Sequence, residues 1–335
     1  MEFLLAKNEE NLNLKGRSAF LNDALYLDFT ASGFEFCGEF NNSDVVIDTE
    51  ISAENGLLGV IVDNDYQSMK EIPVVSGKQR ITAYEKLNGK HTLKILKLLE
   101  YKKGYYIVKS LIFDGKILEK PDEKPLKFEF YGDSLTCGYG NLSTNRDTPQ
   151  PFGFLEHGYR TWAALLSEKM GAEMSAVSSS GQGVLTDCGG NPEGTVFKYY
   201  DMAVPSYNVK WDFKKYQPDV VFIYLGNYDI NYWRMNEKAE PDWAKFDEKS
   251  KKLLKSIKSN CPNSKIIYLL GHDSENKYYE GVEKEYKRLA FEYDNVYYCG
   301  GLSSNQNGGD WHPDLKDDIT IYEKLYKFMC EYIKL

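Results

Sequence analysis

The stretch FEFYGDSLTCGYGN, Phe128 to Asn141, decides how the chain is read. An apolar run ends at Tyr131, and Gly132, Asp133 and Ser134 follow at once. Turn-forming residues at a strand end account for the triplet as a tight turn. A nucleophile set at the mouth of a strand accounts for it as well. The surrounding residues separate the two readings.

Downstream, the pattern alternates. LKFEFYG reads as a strand. YRTWAALLSEKMG reads as a helix, with Trp162, Leu165, Leu166 and Met170 at helical spacing and Gly171 as its stop. MSAVSSSG, KIIYLLG and NVYYC read as strands. DVVFIYLG, rich in apolar and β-branched residues, has the character of a buried parallel strand. PDWAKFDEKSKKLLKSIKSN, YYEGVEKEYKRLAFEYD and PDLKDDITIYEKLYKFMCEYIKL read as helices. Strands alternating with helices of this length predict a doubly wound α/β domain with a parallel sheet.

Upstream the character changes. ALYLDF, FEFCGEF, DVVIDTEI, LLGVIVD, QRITAY, HTLKILKL and YYIVKSLIF are short segments parted by turn residues such as NN, DN, SGK and KKG. Spacing of roughly 8–12 residues predicts an antiparallel β-sandwich or barrel. Asn88-Gly89 is a hairpin candidate, because both residues tolerate positive φ. The charged tract ILEKPDEKP, Ile117 to Pro125, reads as a linker. The expected division is a β domain over 1–120 and an α/β domain over 121–335.

The 335 residues carry a formal net charge of −9, which argues against nucleic acid as a main partner. No apolar run approaches a membrane span, so no membrane partner is expected. The short apolar opening in MEFLLAKNEENLNLKGR falls short of a signal-peptide core. A cytoplasmic location is therefore expected, or a secreted one if a leader has been removed. The six cysteines are scattered with no C-x-x-C pair, so a structural metal is not expected and most read as buried free thiols.

In a doubly wound sheet, ligands bind beyond the carboxyl ends of the strands. Ser134, the SSSGQG segment (Ser178 to Gly183) and LGNYDIN (Leu225 to Asn231) all fall there, in loops that converge on one edge. A serine hydroxyl needs a base, usually histidine, and the base needs an orienting group. Of four histidines, His91 reads as a sheet residue, His157 as a loop residue without a clear partner, and His272 as a weaker candidate base. His312 stands in GGDWHPD, and Asp310 two residues before it is placed to hold Nδ1–H.

The order Ser134 … Asp310-x-His312 resembles the SGNH/GDSL hydrolase superfamily. GDSL stands as Gly132-Asp133-Ser134-Leu135, the glycine block as Ser180-Gly181-Gln182-Gly183, and the final block as Asp310-Trp311-His312-Pro313. With the β-rich front half and the GKHTLKILKLLE segment, the whole chain resembles carbohydrate esterase family two. That resemblance implies an amino-terminal jelly-roll-like sandwich and a flavodoxin-like three-layer α/β/α domain. It also implies removal of O-acetyl groups from plant-wall sugars, with no metal or organic cofactor. Ser134 would attack the acetyl carbonyl, His312 would move the proton, and Asp310 would orient His312. The oxyanion would be held by the Ser134 and Gly181 backbone N–H groups and an asparagine side chain. Trp311 would stack on a sugar ring.

The third block departs from the family's Gly-x-Asn-Asp. It reads Gly226-Asn227-Tyr228-Asp229, with Tyr228 where the asparagine should stand. Three explanations are open: Asn227 is re-aimed, the Tyr228 hydroxyl donates instead, or the hole is incomplete. Losing one such donor typically costs about 10²–10³ in turnover. Tyr228 and Trp233 are candidate substrate contacts beside Trp311, with Tyr232 next to them; simple packing is the alternative for each. The rival functions are a glycan-binding pseudoenzyme and an esterase or acyltransferase for small non-sugar esters. The G-x-S-x-G elbow, complete G-x-G-x-x-G, P-loop and H-E-x-x-H are all absent.

Overall fold

A computed structural model describes residues 1–148, 153–236, 240–271 and 276–334. The carboxyl-terminal part is built on five parallel strands: β1 (Leu126–Gly132), β2 (Ala172–Ser178), β3 (Val220–Tyr224), β4 (Lys265–Leu269) and β5 (Val296–Cys299). Their order is β2-β1-β3-β4-β5, the flavodoxin-like order, with its switch point between β1 and β3. The helices are α1 (Ser134–Cys137), α2 (Trp162–Met170), α3 (Asn227–Met235), α4 (Trp243–Asn260), α5 (Tyr279–Glu292) and α6 (Leu315–Tyr332).

Alternation along the strands makes the three layers. Phe128, Phe130, Phe222 and Ile267 face Trp162 and Leu166 of α2 and Leu325 of α6. Tyr131, Val221, Ile223 and Ile266 face Leu254 of α4 and Leu289 of α5 on the other side. Both faces are apolar because helices cover both. Gly171 ends α2 at φ +64, a left-handed C-cap as its position predicts. The Asp314–Asp317 capping box fixes the start of α6 directly after the His312 turn.

The amino-terminal part is a ten-stranded antiparallel sheet curled around its own core of Phe34, Phe36, Ile47, Leu93 and Leu111. Two strands dominate it, Gly33–Ile51 and Gly77–Lys97, paired along their length. Each fuses two segments that the sequence presents separately. Asn88-Gly89 is accordingly no hairpin turn. It lies within the second long strand, where Gly89 at φ +92 faces Phe40 and the register shifts just beyond. The tolerance for positive φ serves a bulge that bends a continuing strand, not a chain reversal.

Residues 118–125 carry no helix or strand. The two sheets are nonetheless bound together through buried groups. Arg17, fully buried, makes a two-pronged pair with Glu129 of β1 at 3.0 and 3.1 Å. Lys15 reaches Glu173 of β2 at 2.8 Å. Among the described residues no helix is long and apolar enough to cross a membrane. All six cysteines are free: Cys137, Cys261 and Cys299 are buried, Cys37 is half-buried, and Cys188 and Cys330 are exposed.

Candidate active site

Ser134 opens α1 immediately after β1, at the carboxyl edge of the sheet. Asp133 caps this turn, its carboxylate accepting Leu135 N–H at 3.0 Å. Its other oxygen accepts the Asn227 amide at 3.2 Å. Burial pushes the Asp133 carboxyl up, to about 7. Ser134 Oγ lies 2.8 Å from His312 Nε2 and 2.8 Å from the Tyr228 hydroxyl.

The partner of His312 Nδ1 is the backbone carbonyl of Asp310, at 2.7 Å. The sequence pointed to the Asp310 carboxylate for this bond; that carboxylate acts on the ring through its charge. The difference comes from the turn, where Asp310 and Trp311 adopt φ of +52 and +59. A left-handed conformation is uncommon for a non-glycine residue and strained for a tryptophan, and such strain clusters at functional sites. Here it swings the Asp310 carbonyl under the imidazole and leaves Trp311 half exposed at the rim. Arg146 stacks its guanidinium 4.6 Å from the Trp311 ring.

These contacts fix the protons. A carbonyl only accepts, so Nδ1 carries hydrogen and Nε2 of the neutral ring is an acceptor. Ser134 therefore donates to His312, and Tyr228 donates to Ser134 Oγ. The ring is held neutral because burial lowers the His312 pKa against the opposing pull of Asp310. Burial likewise raises the Tyr228 phenol well above its ordinary range, so it stays a donor.

The neighbouring loop is shaped by Asp229. Its carboxylate accepts the N–H groups of Val184, Leu185 and Thr186 at 2.7–3.0 Å. Gly181 sits upstream at φ +77, a conformation that favours glycine. Neither the Ser134 amide nor the Gly181 amide donates to another protein group among the described residues. Both residues line a cavity of about 870 Å³ that also takes in Tyr228, Asp310, Trp311 and His312.

The structure thus gathers Ser134, Gly181, Tyr228, Asp310, Trp311 and His312, with Asn227 also in the lining but turned to Asp133. Trp233 does not join them. It is 2% exposed and packs edge-on to Trp243 at 5.1 Å, fixing α3 to α4. The segment 227–235 is helical, so Trp233 lies more than a turn beyond Tyr228 and points to the core. Tyr232 covers Gly190, outside the cavity lining. His91 pairs with Asp63 at 2.7 Å, and buried His157 lies 3.4 Å from Glu71, both away from Ser134. His272 lies outside the described residues.

Other lining residues were not legible as such: Glu100, Lys102 and Lys103 from the β region, and Tyr139, Cys188, Arg234 and Gln306. None carries a local motif. At the cavity wall and behind it, Glu100, Cys137 and Glu156 place ligand-type atoms within 4.8 Å of one another. Burial, then the charge of Glu100, pushes the Glu156 carboxyl up to about 8, and burial raises the Cys137 thiol.

A parallel sheet with a serine, a histidine and converging hydrogen-bond donors at its carboxyl edge defines a hydrolase-type site. Residues 130–320 match the GDSL-like Lipase/Acylhydrolase family, and the chain belongs to that family. The cellulase/esterase CelE of Acetivibrio thermocellus is 30% identical over 251 residues, 71% of this chain but 29% of that protein. An acetylxylan esterase / glucomannan deacetylase of Cellvibrio japonicus is 25% identical over 252 residues, 70% of this chain and 67% of that protein. Among solved structures, a family two carbohydrate esterase from Clostridium thermocellum in complex with cellohexaose superposes with a TM-score of 0.86 at 23% identity. It covers 95% of this chain and 98% of that one, so the order of β-sandwich and α/β domain is shared.

Proposed function

We propose that the protein is a serine esterase that removes O-acetyl groups from acetylated plant-wall saccharides, xylan or glucomannan, through an acyl-enzyme. One observation carries the reading: Ser134 Oγ stands between a neutral histidine acceptor and a phenol donor, each at 2.8 Å, inside the cavity. The names of the related proteins supply the substrate class. In this reading residues 121–335 are the catalytic domain and residues 1–120 close one side of the cleft.

His312 Nε2 takes the Ser134 proton as Oγ attacks the acetyl carbonyl. The Asp310 carbonyl holds the imidazole in place and its carboxylate favours the imidazolium that forms. The Ser134 and Gly181 amides and the Tyr228 hydroxyl receive the oxyanion, the phenol moving its hydrogen bond from Oγ to the new centre. His312 returns the proton to the sugar alcohol as the bond breaks. Water then attacks the acyl-enzyme, with His312 again as base. No step calls for a metal or organic cofactor. Trp311 offers a ring face to a sugar.

The test is acetate release from an aryl acetate and from acetylated xylo- and manno-oligosaccharides, with wild type beside Ser134→Ala. Activity that vanishes in the variant supports the reading. Equal background from two folded proteins would sink it.

A further inference from the structure

The amino-terminal β region holds the backbone of Ser180 at the edge of the site. Glu100 and Lys102 follow the long strand Gly77–Lys97, and each grips a different side of Ser180. Glu100 Oε2 accepts the Ser180 N–H at 2.7 Å. The Lys102 ammonium donates to the Ser180 carbonyl oxygen. That carbonyl shares its peptide plane with the Gly181 N–H, one of the donors assigned above to the oxyanion. A Cβ built on Gly181 would lie 3.8 Å from Lys102 Nζ, so the peptide runs directly beneath the ammonium.

We infer that Glu100 and Lys102 are positioning residues for the oxyanion hole, orienting and polarising the Ser180–Gly181 peptide from the neighbouring β region. The inference rests on the esterase reading and deepens it. The planar peptide ties the two bonds together: fixing the carbonyl fixes the direction of the N–H across the plane. A cation on the carbonyl oxygen draws electron density from nitrogen and strengthens the N–H as a donor.

Glu100 is itself held rigidly. It is 1% exposed, its own N–H donates to Glu156 Oε1 at 2.6 Å, and its carbonyl accepts Lys97 Nζ at 3.0 Å. Folding of the loop does not explain the clamp. Asp229 already secures residues 184–186, whereas Glu100 and Lys102 act at 180, where Ser180 and Gly181 line the cavity.

The experiment is steady-state kinetics on a small aryl acetate with wild type, Lys102→Met, Lys102→Arg and Glu100→Ala. The substrate carries no sugar, so a lost sugar contact cannot change its turnover. Lys102 is exposed, and its variants should keep the fold; thermal unfolding is recorded beside Glu100→Ala. Lys102→Met should lower kcat on the order of tenfold with KM nearly constant, as expected when an interaction specific to the transition state is weakened. Lys102→Arg should recover most of the loss. A folded Glu100→Ala should lose on the order of 10²-fold in kcat, the usual cost of a misplaced catalytic group. If wild type is active and Lys102→Met matches it, the inference is overturned while the esterase reading stands. If wild type itself releases no acetate, the esterase reading falls and takes this inference with it.

Discussion

Tyr228 stands where the sequence reading expects the family's asparagine, and it brings a longer side chain. A phenol from the first turn of α3 arrives at Ser134 Oγ, while Asn227 turns to Asp133. Tyr228→Phe should keep the half-buried ring and lose the donor. We expect kcat to fall about 10²–10³-fold with little change in KM; an unchanged kcat would remove Tyr228 from the oxyanion hole. His312 gives a second expectation. Only its neutral form accepts the serine proton, and burial lowers its pKa, so the base form persists to lower pH. The acid limb of kcat/KM should turn below the ordinary histidine value of 6.5. A turn above 6.5 would contradict the geometry. Ser134 and His312 were legible because each lies in a motif that brings its own local turn. The Asp310 carbonyl was not, because which oxygen meets Nδ1 depends on two positive φ values that side-chain identity does not announce. Where Asn227 and Tyr228 point depends on the frame of α3, which the sequence alone does not give.

At the scale of elements, that frame is the difference between a loop and a helix. LGNYDIN read as a loop because glycine, asparagines and an aspartate crowd a short span; the chain instead starts α3 at Asn227 behind a left-handed Gly226. One helical step then sends adjacent residues to Asp133 and Ser134, and Asp229 to the backbone of 184–186. Asp229→Ala should strand three amides, two of them buried and one partly buried. A loss of roughly 2 kcal/mol or more is expected, measured by urea unfolding, together with a fall in kcat as the Gly181 loop loosens. Full stability with full activity would show that the loop holds its shape without this anchor. The parallel strands and long helices were legible because burial on both faces and amphipathic spacing are written along them. The long antiparallel strands were not, since bulges at Phe40–Ser43 and Gly89 use the same residue types as turns.

Across the whole molecule, the union of the two sheets has no local signature. Arg17 and Glu129 stand 112 residues apart in the chain, yet the guanidinium is buried against the carboxylate, the Tyr131 hydroxyl at 2.6 Å and the Tyr200 carbonyl at 2.7 Å. The Trp211 and Phe213 rings lie 5.3 and 5.1 Å from it. Every donor edge is used, so the pair fastens the β region to the back of β1, the strand that delivers Ser134. Replacing Arg17 by methionine leaves Glu129 buried without its counter-charge. Breaking one partner of a buried pair costs about 3–5 kcal/mol, and that loss should appear as a lower urea midpoint. The clamp on Ser180 makes a further demand. If the two regions hold each other in register, Arg17→Met should also lower kcat on an aryl acetate under conditions where the protein remains folded, because Glu100 and Lys102 reach the oxyanion peptide only while the β region is seated. Loss of stability with kcat intact would mean that the seating of Glu100 and Lys102 is independent of the Arg17 anchor.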